Sequence, residues 1–257
     1  MQIRSHLRSL ERSRTARTDP DRPRRFTMRG REWDLLPDVF APPYSASTDA
    51  AMELLGFMAG TQAPRQGSFL EIGCGTGIIA VSAALAGCER VLATDINPRA
   101  VDNAALNALR HGVADRVRAL HSDLFDAIGA DQRFDTVYWH SNFVLAPADH
   151  RYESVHDRAY VDPGYAAHRR YLREAPRWTT PGGSVLLHFS DRGDLDRLHE
   201  LADASGRRLE VLRRTRMREG TELVEHMLIK VSPVRADADP DGARPGPGAA
   251  RPVRGSG

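Results

Sequence analysis

Short apolar segments alternate with amphipathic helical segments through the middle of the chain, and this alternation constrains the fold most. Strands separated by helices of about ten residues indicate βαβ crossovers, and so a mainly parallel sheet with helices on both faces. The pattern predicts strands at 68–72, 90–94, 116–120, 134–139 and 183–189, and helices at 77–86, 98–110, 164–176 and 194–205. Two further apolar segments, 208–214 and 222–231, flank a loop with Gly220 and predict an antiparallel hairpin at one edge. We therefore predict a seven-stranded α/β fold.

The two ends of the chain differ in composition from this middle part. The first 31 residues contain ten arginines and three acidic residues, and the last 25 contain ten prolines or glycines with few bulky apolar residues. Neither end has the apolar surface to offset the entropy lost on ordering, although the first has room for one short helix. We predict three regions: a basic, largely disordered arm at 1–31, a folded domain at 32–231 and a disordered tail at 232–257.

Charge and composition exclude several classes of protein. The chain carries a net charge of +2, but the arm is strongly basic, so the domain itself is acidic and lacks the basic face expected of a dedicated nucleic-acid binder. No apolar run approaches the roughly 20 residues of a membrane span, and two cysteines are too few for a disulfide framework or thiolate metal site. The near-absence of lysine beside many arginines is typical of GC-rich bacterial genes. We expect a bacterial cytoplasmic protein with no membrane partner and no metal.

A glycine-rich loop follows the first predicted strand of the sheet. The residues Gly73-Cys74-Gly75-Thr76-Gly77 come directly after Phe69–Ile72 and before a helix, where backbone amides approach a ligand. A dinucleotide fingerprint would place its third glycine at Ile78, and a P-loop would need a lysine that this loop lacks. Neither phosphate-binding motif therefore fits.

With an acid two residues before the first glycine, the loop resembles the cofactor loop of Rossmann-like (class I) S-adenosylmethionine-dependent methyltransferases. In that family the glycines leave room for the amino-acid end of the cofactor. The resemblance implies a Rossmann-like sheet, S-adenosylmethionine as cofactor, and contacts to it from Glu71, Gly73, Cys74, Gly75 and Gly77.

Two further acidic residues follow later strands at positions that suit the same cofactor. Asp95 closes the second strand, 18 residues after Gly77, where a carboxylate can accept both ribose hydroxyls, with Ile96 beside it. Asp123 and Leu124 follow the third strand, where the family commonly holds the adenine. Helix capping alone is the alternative for both acids.

Residues 36–190 resemble most closely the amino-modifying branch of this family, which includes the release-factor glutamine methyltransferases and their small-domain relatives. The resemblance runs through the glycine loop and through the segments 37–42, 95–98 and 122–125. In that branch the fourth strand ends in Asn/Asp-Pro-Pro-Tyr/Phe, which holds a planar nitrogen. Here the residues are His140-Ser141-Asn142-Phe143, so the aromatic is kept while the leading amide and both prolines are absent. The family's acceptor is therefore not carried over.

This altered motif supplies the predicted catalytic residues. His140 has the ordinary pKa of a general base, although a strand-end histidine is as often structural. Asn142 is expected to orient the acceptor and Phe143 to cover it. The aromatic-rich, irregular insertion at 142–165 is predicted to be an acceptor lid that lacks a core of its own until substrate binds.

The acidic domain and the aromatic insertion favour N-methylation of a small amine- or guanidine-like metabolite as the function. Modification of a protein or of RNA through the arginine-rich arm is the second hypothesis. A non-catalytic module that binds the cofactor is the third, because the acceptor motif is altered.

Overall fold

The computed structural model describes residues 3–57 and 67–234. The helices are α1 (Ile3–Thr18), α2 (Ser47–Leu55), α3 (Ile78–Leu85), α4 (Pro98–Arg110), α5 (Ala166–Glu174) and α6 (Leu195–Ala204). The strands before the acceptor motif are β1 (Arg25–Met28), β2 (Arg31–Asp34), β3 (Ser68–Ile72), β4 (Arg90–Asp95), β5 (Val117–His121) and β6 (Phe134–His140). The later strands are β7 (Leu145–Ala146), β8 (Asp162–Pro163), β9 (Thr179–Ser190), β10 (Arg207–Glu219) and β11 (Glu222–Pro233).

The main sheet has seven strands in the order β10-β11-β9-β6-β3-β4-β5. Strands β3, β4, β5, β6 and β9 are parallel, and β11 runs antiparallel to both β9 and β10. The predicted mainly parallel sheet with a C-terminal antiparallel hairpin is confirmed. Because the chain returns to the other side of β3 to form β6, the carboxyl ends of these two strands meet at a switch point, with Ile72 opposite Trp139.

The sheet is covered on both faces, which explains the continuous apolar character of its central strands. All five residues of β3 are buried. Phe69 and Tyr138 point to the face covered by α2, α3 and α4, whereas Leu70 and Val137 point to the face covered by α5 and α6. Alternate residues of one strand therefore belong to opposite halves of the core.

The N-terminal region is folded in the structure, which corrects the predicted disordered arm over residues 3–31. The inner face of α1 carries Ser9 and Ser13, which are 1% and 0% exposed, together with the buried Ala16. The contact face of α1 is formed largely by small residues rather than bulky apolar ones, so the helix leaves only a weak hydrophobic pattern in the sequence. The arginines of α1 lie mainly on its outer side, and the hairpin of β1 and β2 packs on α4 through ion pairs of Asp34 with Arg110.

The insertion at 142–165 has a small core of its own, contrary to our expectation. Strands β7 and β8 pair in parallel, and Val144, Ala146 and Val161 form a buried cluster to which α1 contributes Leu10. Ser13 of α1 donates to Asp157 Oδ1 at 2.7 Å and accepts from His156 Nδ1 at 2.8 Å. The predicted lid is therefore held by Ser13, which lies 143 residues before His156 in the chain.

The remaining expectations concern the tail and the membrane. Strand β11 continues to Pro233, and the rest of the predicted tail beyond Val234 lies outside the described residues. Among the residues that are described, none of the helices has the length and apolarity to cross a membrane.

Candidate cofactor and acceptor site

A cavity of about 200 Å³ lies at the carboxyl ends of β3, β4 and β6. Its wall includes α1, the segment before α2, the loops after four strands, and the insertion. The structure brings together eleven of the twelve predicted site residues there: Glu71, Gly73, Cys74, Gly75, Asp95, Ile96, Asp123, Leu124, His140, Asn142 and Phe143. Gly77 does not line the cavity.

Two glycines of the loop serve different purposes. Gly75 has φ +53°, and a Cβ built there would meet no atom within 4 Å, so the loop backbone is open to the cavity at this point. Gly77 has φ +78°, and a Cβ there would lie 2.7 Å from both Cα and Cβ of Ala104 in α4. Gly77 therefore permits close packing of α3 against α4, and its predicted contact with the cofactor stays a prediction.

Two carboxylates flank the glycine loop, of which Glu71 is buried and Asp95 is half-buried. Glu71 Oε2 accepts a hydrogen bond from Ala80 N at 2.8 Å, and Asp95 accepts from Gly75 N at 2.9 Å and from Asn97 N at 2.8 Å. Burial raises the pKa of both acids. Hydroxyl or cationic donors in the cavity would lower these pKa values again. S-adenosylmethionine carries a sulfonium, an ammonium and two ribose hydroxyls, so these residues fit the predicted cofactor.

The third predicted cofactor segment lies at the end of β5. Asp123 Oδ1 accepts from Arg170 of α5 at 3.1 Å, and this arginine also bonds Asp126 Oδ1 at 2.7 Å. Leu124 is 8% exposed and takes the left-handed conformation at φ +50°. The predicted contact with adenine stays a prediction. Arg170 could not be assigned from sequence, since only the fold brings α5 to this loop.

His140 ends β6 with its ring stacked on His188 of β9, at a centroid distance of 4.3 Å and an interplanar angle of 23°. Burial, with a smaller effect of His226, lowers the pKa of His140 to about 3. Its imidazole is therefore neutral at physiological pH, which replaces the ordinary pKa assumed from the sequence. No hydrogen bond to its ring comes from any residue that the structure describes.

His188, on which the ring of His140 stacks, begins a buried row of polar side chains. His188 Nε2 lies 3.0 Å from His226 Nδ1, and His226 Nε2 lies 3.5 Å from Glu219 Oε1. The contact between His188 and His226 is short enough for a hydrogen bond whose direction depends on the tautomers of the two rings, whereas His226 Nε2 and Glu219 Oε1 meet only at ion-pair distance. Ser141 Oγ also donates to the backbone oxygen of His188 at 2.8 Å. Sequence reasoning missed this row because its members come from different strands.

Asn142 is held rigidly beside His140. Its Nδ2 donates to the backbone oxygens of Arg158 at 2.9 Å and Val161 at 2.8 Å, both in the insertion. These two carbonyls use both amide protons, which fixes the orientation of the side chain. Asn142 Oδ1 is buried and has no hydrogen-bond partner among the described residues. The neighbouring Phe143 lines the cavity and packs against Phe189 at a centroid distance of 6.2 Å.

Several residues at this end of the cavity were absent from the sequence-based set. They come from α1, the insertion and the loop after β9, and include Ser9, Arg12, Tyr152, Arg158 and Arg192. The spacing of Ser9, Ser13 and Ala16 by four and three residues was the available signal for α1. Within residues 3–57 and 67–234, no group of three or more His, Cys, Asp or Glu side chains could hold a metal ion.

Comparison with known proteins agrees with this geometry. A family model described as "Methyltransferase domain" matches residues 69–161. The release factor glutamine methyltransferase of Bordetella pertussis is 34% identical over 190 residues, which cover 68% of this chain and 67% of that protein. A methyltransferase structure from Pyrococcus furiosus covers 89% of this chain and 98% of its own, with a TM-score of 0.51 and 18% identity. At such identity the structural likeness shows the fold alone.

A second structural neighbour shares the same fold. It is a methyltransferase complexed with SAH, with a TM-score of 0.53 and 14% identity, covering 81% of this chain and 56% of that one. The sheet order, the glycine loop beside Asp95, and the match to the Bordetella protein agree with one another. The chain therefore belongs to the Rossmann-like (class I) S-adenosylmethionine-dependent methyltransferases, and S-adenosylmethionine is its cofactor.

Proposed function

We propose that this protein methylates a nitrogen that carries N–H groups. The observation behind the proposal is Asn142 Oδ1, a buried hydrogen-bond acceptor with no partner among the described residues, in a side chain whose amide protons are both used. His140 beside it is neutral and offers a second acceptor nitrogen. A buried acceptor without a partner costs about 1–3 kcal/mol, so these two atoms favour a ligand that donates N–H.

The residues of this chain have separate tasks in such a reaction. S-adenosylmethionine supplies an electrophilic methyl group, which the glycine loop and Asp95 are proposed to hold. Asn142 and His140 accept the N–H groups of the acceptor, which leaves its lone pair free to attack. Phe143 covers the reacting nitrogen and excludes water. The proton released afterwards leaves to solvent, because a histidine with a pKa of about 3 does not retain it.

The finer proposal is that the acceptor is a small amine- or guanidine-like metabolite. Support comes from α1, whose Ser9 and Arg12 form part of the wall at the acceptor end and so limit the size of a ligand. A protein side chain is the second candidate, favoured by the name of the Bordetella relative, a release factor glutamine methyltransferase.

Radiolabel transfer tests the function and separates the two candidates. The purified protein is incubated with methyl-tritiated S-adenosylmethionine and a bacterial extract divided by ultrafiltration into small molecules and proteins. We expect label in the small-molecule fraction, and a loss of at least about tenfold in Asn142→Leu. Label in the protein fraction alone supports the second candidate. A protein that binds the cofactor but labels neither fraction would refute the proposed activity.

A further inference from the structure

Three arginine side chains line the acceptor end of the cavity, and they come from separate parts of the chain. Arg12 lies on α1, Arg158 in the 3-10 turn Val155–Ala159, and Arg192 in the loop after β9. The carboxylates in the described wall all belong to the cofactor end, at Asp38, Glu71, Asp95 and Asp123. The two ends of the cavity therefore differ in charge.

The three arginines differ in how far their own neighbours neutralise them. Arg192 pairs closely with Glu219 and contacts Glu222 at 3.4 Å. Arg12 reaches Glu219 only at 3.5 Å, and its Nε is buried without a hydrogen-bond partner among the described residues. Arg158 is exposed, lies over the Tyr152 ring at 4.6 Å and forms no ion pair within the described part of the chain. Arg12 Nη2 donates to Ser9 Oγ at 3.0 Å, and the remaining donors of Arg12 and those of Arg158 are less fully paired than the donors of Arg192.

The other titratable groups at this end do not supply the missing negative charge. Burial lowers the pKa of His140 to about 3 and that of His156 to about 4, so both are neutral at physiological pH. Asp157 of the insertion accepts from Ser13 Oγ and Ser154 N and does not line the cavity. Guanidinium groups facing a partly closed cavity are stabilised when a ligand brings an anion.

We propose that the acceptor end is a carboxylate-binding subsite, in which Arg12 and Arg158 bind a carboxylate of the methyl acceptor. Guanidinium donors match the planar carboxylate, and the charge already offset by Glu219 and Glu222 favours a monoanion over a doubly charged phosphate. The inference rests on the proposed function in one respect: the same molecule places its N–H group at Asn142. The acceptor class is then an amino or amido acid.

Matched pairs of small amides provide the probe. Succinamic, glutaramic and adipamic acids each carry one primary amide and one carboxylate, and their diamides differ from them only by replacing that carboxylate. Three chain lengths cover a range of separations between the two groups. Binding of all six compounds is measured by calorimetry with S-adenosylhomocysteine present. We expect at least one acid to bind about tenfold more tightly than its diamide, with a preference that weakens at high salt.

Two arginine variants and one matched arginine control assign the effect. Arg158→Gln should reduce the acid preference to about threefold or less, and Arg12→Gln should do the same. Arg151→Gln is the matched control, because Arg151 is an exposed arginine of the same insertion that does not line the cavity. Circular dichroism checks that each variant is folded.

The outcomes separate the subsite from the proposed function. Acids that bind no more tightly than diamides, or no binding by any acid, overturn the carboxylate subsite. An equal loss of preference in Arg151→Gln also overturns it, because the effect is then general electrostatic attraction. If the preference depends on Arg158 but Asn142→Leu weakens neither acids nor diamides, the subsite stands and N–H recognition by Asn142 fails. If Asn142→Leu weakens the binding of acids and diamides equally while no acid preference exists, N–H recognition by Asn142 stands and the carboxylate subsite is overturned.

Discussion

Replacing Gly77 with alanine is expected to destabilise the fold, whereas the same change at Gly75 is expected to act on the cofactor. Both glycines have positive φ, +78° and +53°, so alanine costs about 1–2 kcal/mol in the backbone at either position. At Gly77 the new methyl would also lie 2.7 Å from backbone and side-chain atoms of Ala104. Relief of that contact requires α3 and α4 to separate, which adds about 1–3 kcal/mol.

Urea unfolding followed by circular dichroism measures the difference. The expected loss in free energy of unfolding is about 2–5 kcal/mol for Gly77→Ala and about 1–2 kcal/mol for Gly75→Ala, at unchanged m-value. Calorimetry with S-adenosylhomocysteine gives the second readout. Gly75→Ala places its methyl in the open space of the cavity and should weaken binding about tenfold or more.

Equal stability of the two variants would refute the role assigned to Gly77, since only this position has a neighbouring helix at contact distance. Full affinity in a folded Gly75→Ala protein would show that the cofactor does not lie against this part of the loop. The pair therefore separates a packing glycine from a ligand-binding one within a single motif.

Three further predictions use other parts of the site. Asp95→Ala should weaken S-adenosylhomocysteine binding in calorimetry by about 1.5–3 kcal/mol, because the ribose and the Gly75 amide both lose an acceptor. Because the pKa of His140 is about 3 when folded and near 6.5 when unfolded, the unfolded chain binds more protons between these values. The free energy of unfolding, measured in urea, should therefore fall as pH drops through this window, less steeply in His140→Asn. Ser13→Ala should cost about 1–3 kcal/mol in the same assay, because Asp157 and His156 lose a buried partner; an unchanged value would show that α1 is not held there.

Periodicity predicted the central elements closely. The helix expected at 98–110 spans Pro98–Arg110, and the strand expected at 68–72 spans Ser68–Ile72, because continuous burial leaves a strong apolar signal. The strand expected at 208–214 continues to Glu219. That extension carries alternating arginines outside the core, so hydrophobicity alone could not place its end.

Sequence motifs named more of the residues that line the cofactor end of the cavity than of those that line the acceptor end. The topology of the chain gives the physical reason. Each predicted cofactor residue lies near or just after the carboxyl end of a predicted strand, so a local pattern places it. The residues that line the acceptor end come together only because segments far apart in the chain pack against one another. The local sequence predicted that His140 is a general base with an ordinary pKa. In the structure, burial lowers the pKa of His140 to about 3.

The acceptor end is therefore built by tertiary contacts that a motif does not contain. Ser13 joins α1 to the turn that carries Arg158, while Glu219 joins Arg12 to Arg192. These contacts hold three cationic groups in the wall of the cavity that His140 and Asn142 also line, and none of the three lies in the strand-end motif. Because the cofactor loop and this assembly are built from different segments, we expect acceptor preference to depend on α1 and the insertion more than on the cofactor loop. Exchanging α1 together with the insertion, rather than the strand-end residues alone, is then the change expected to transfer acceptor preference between relatives.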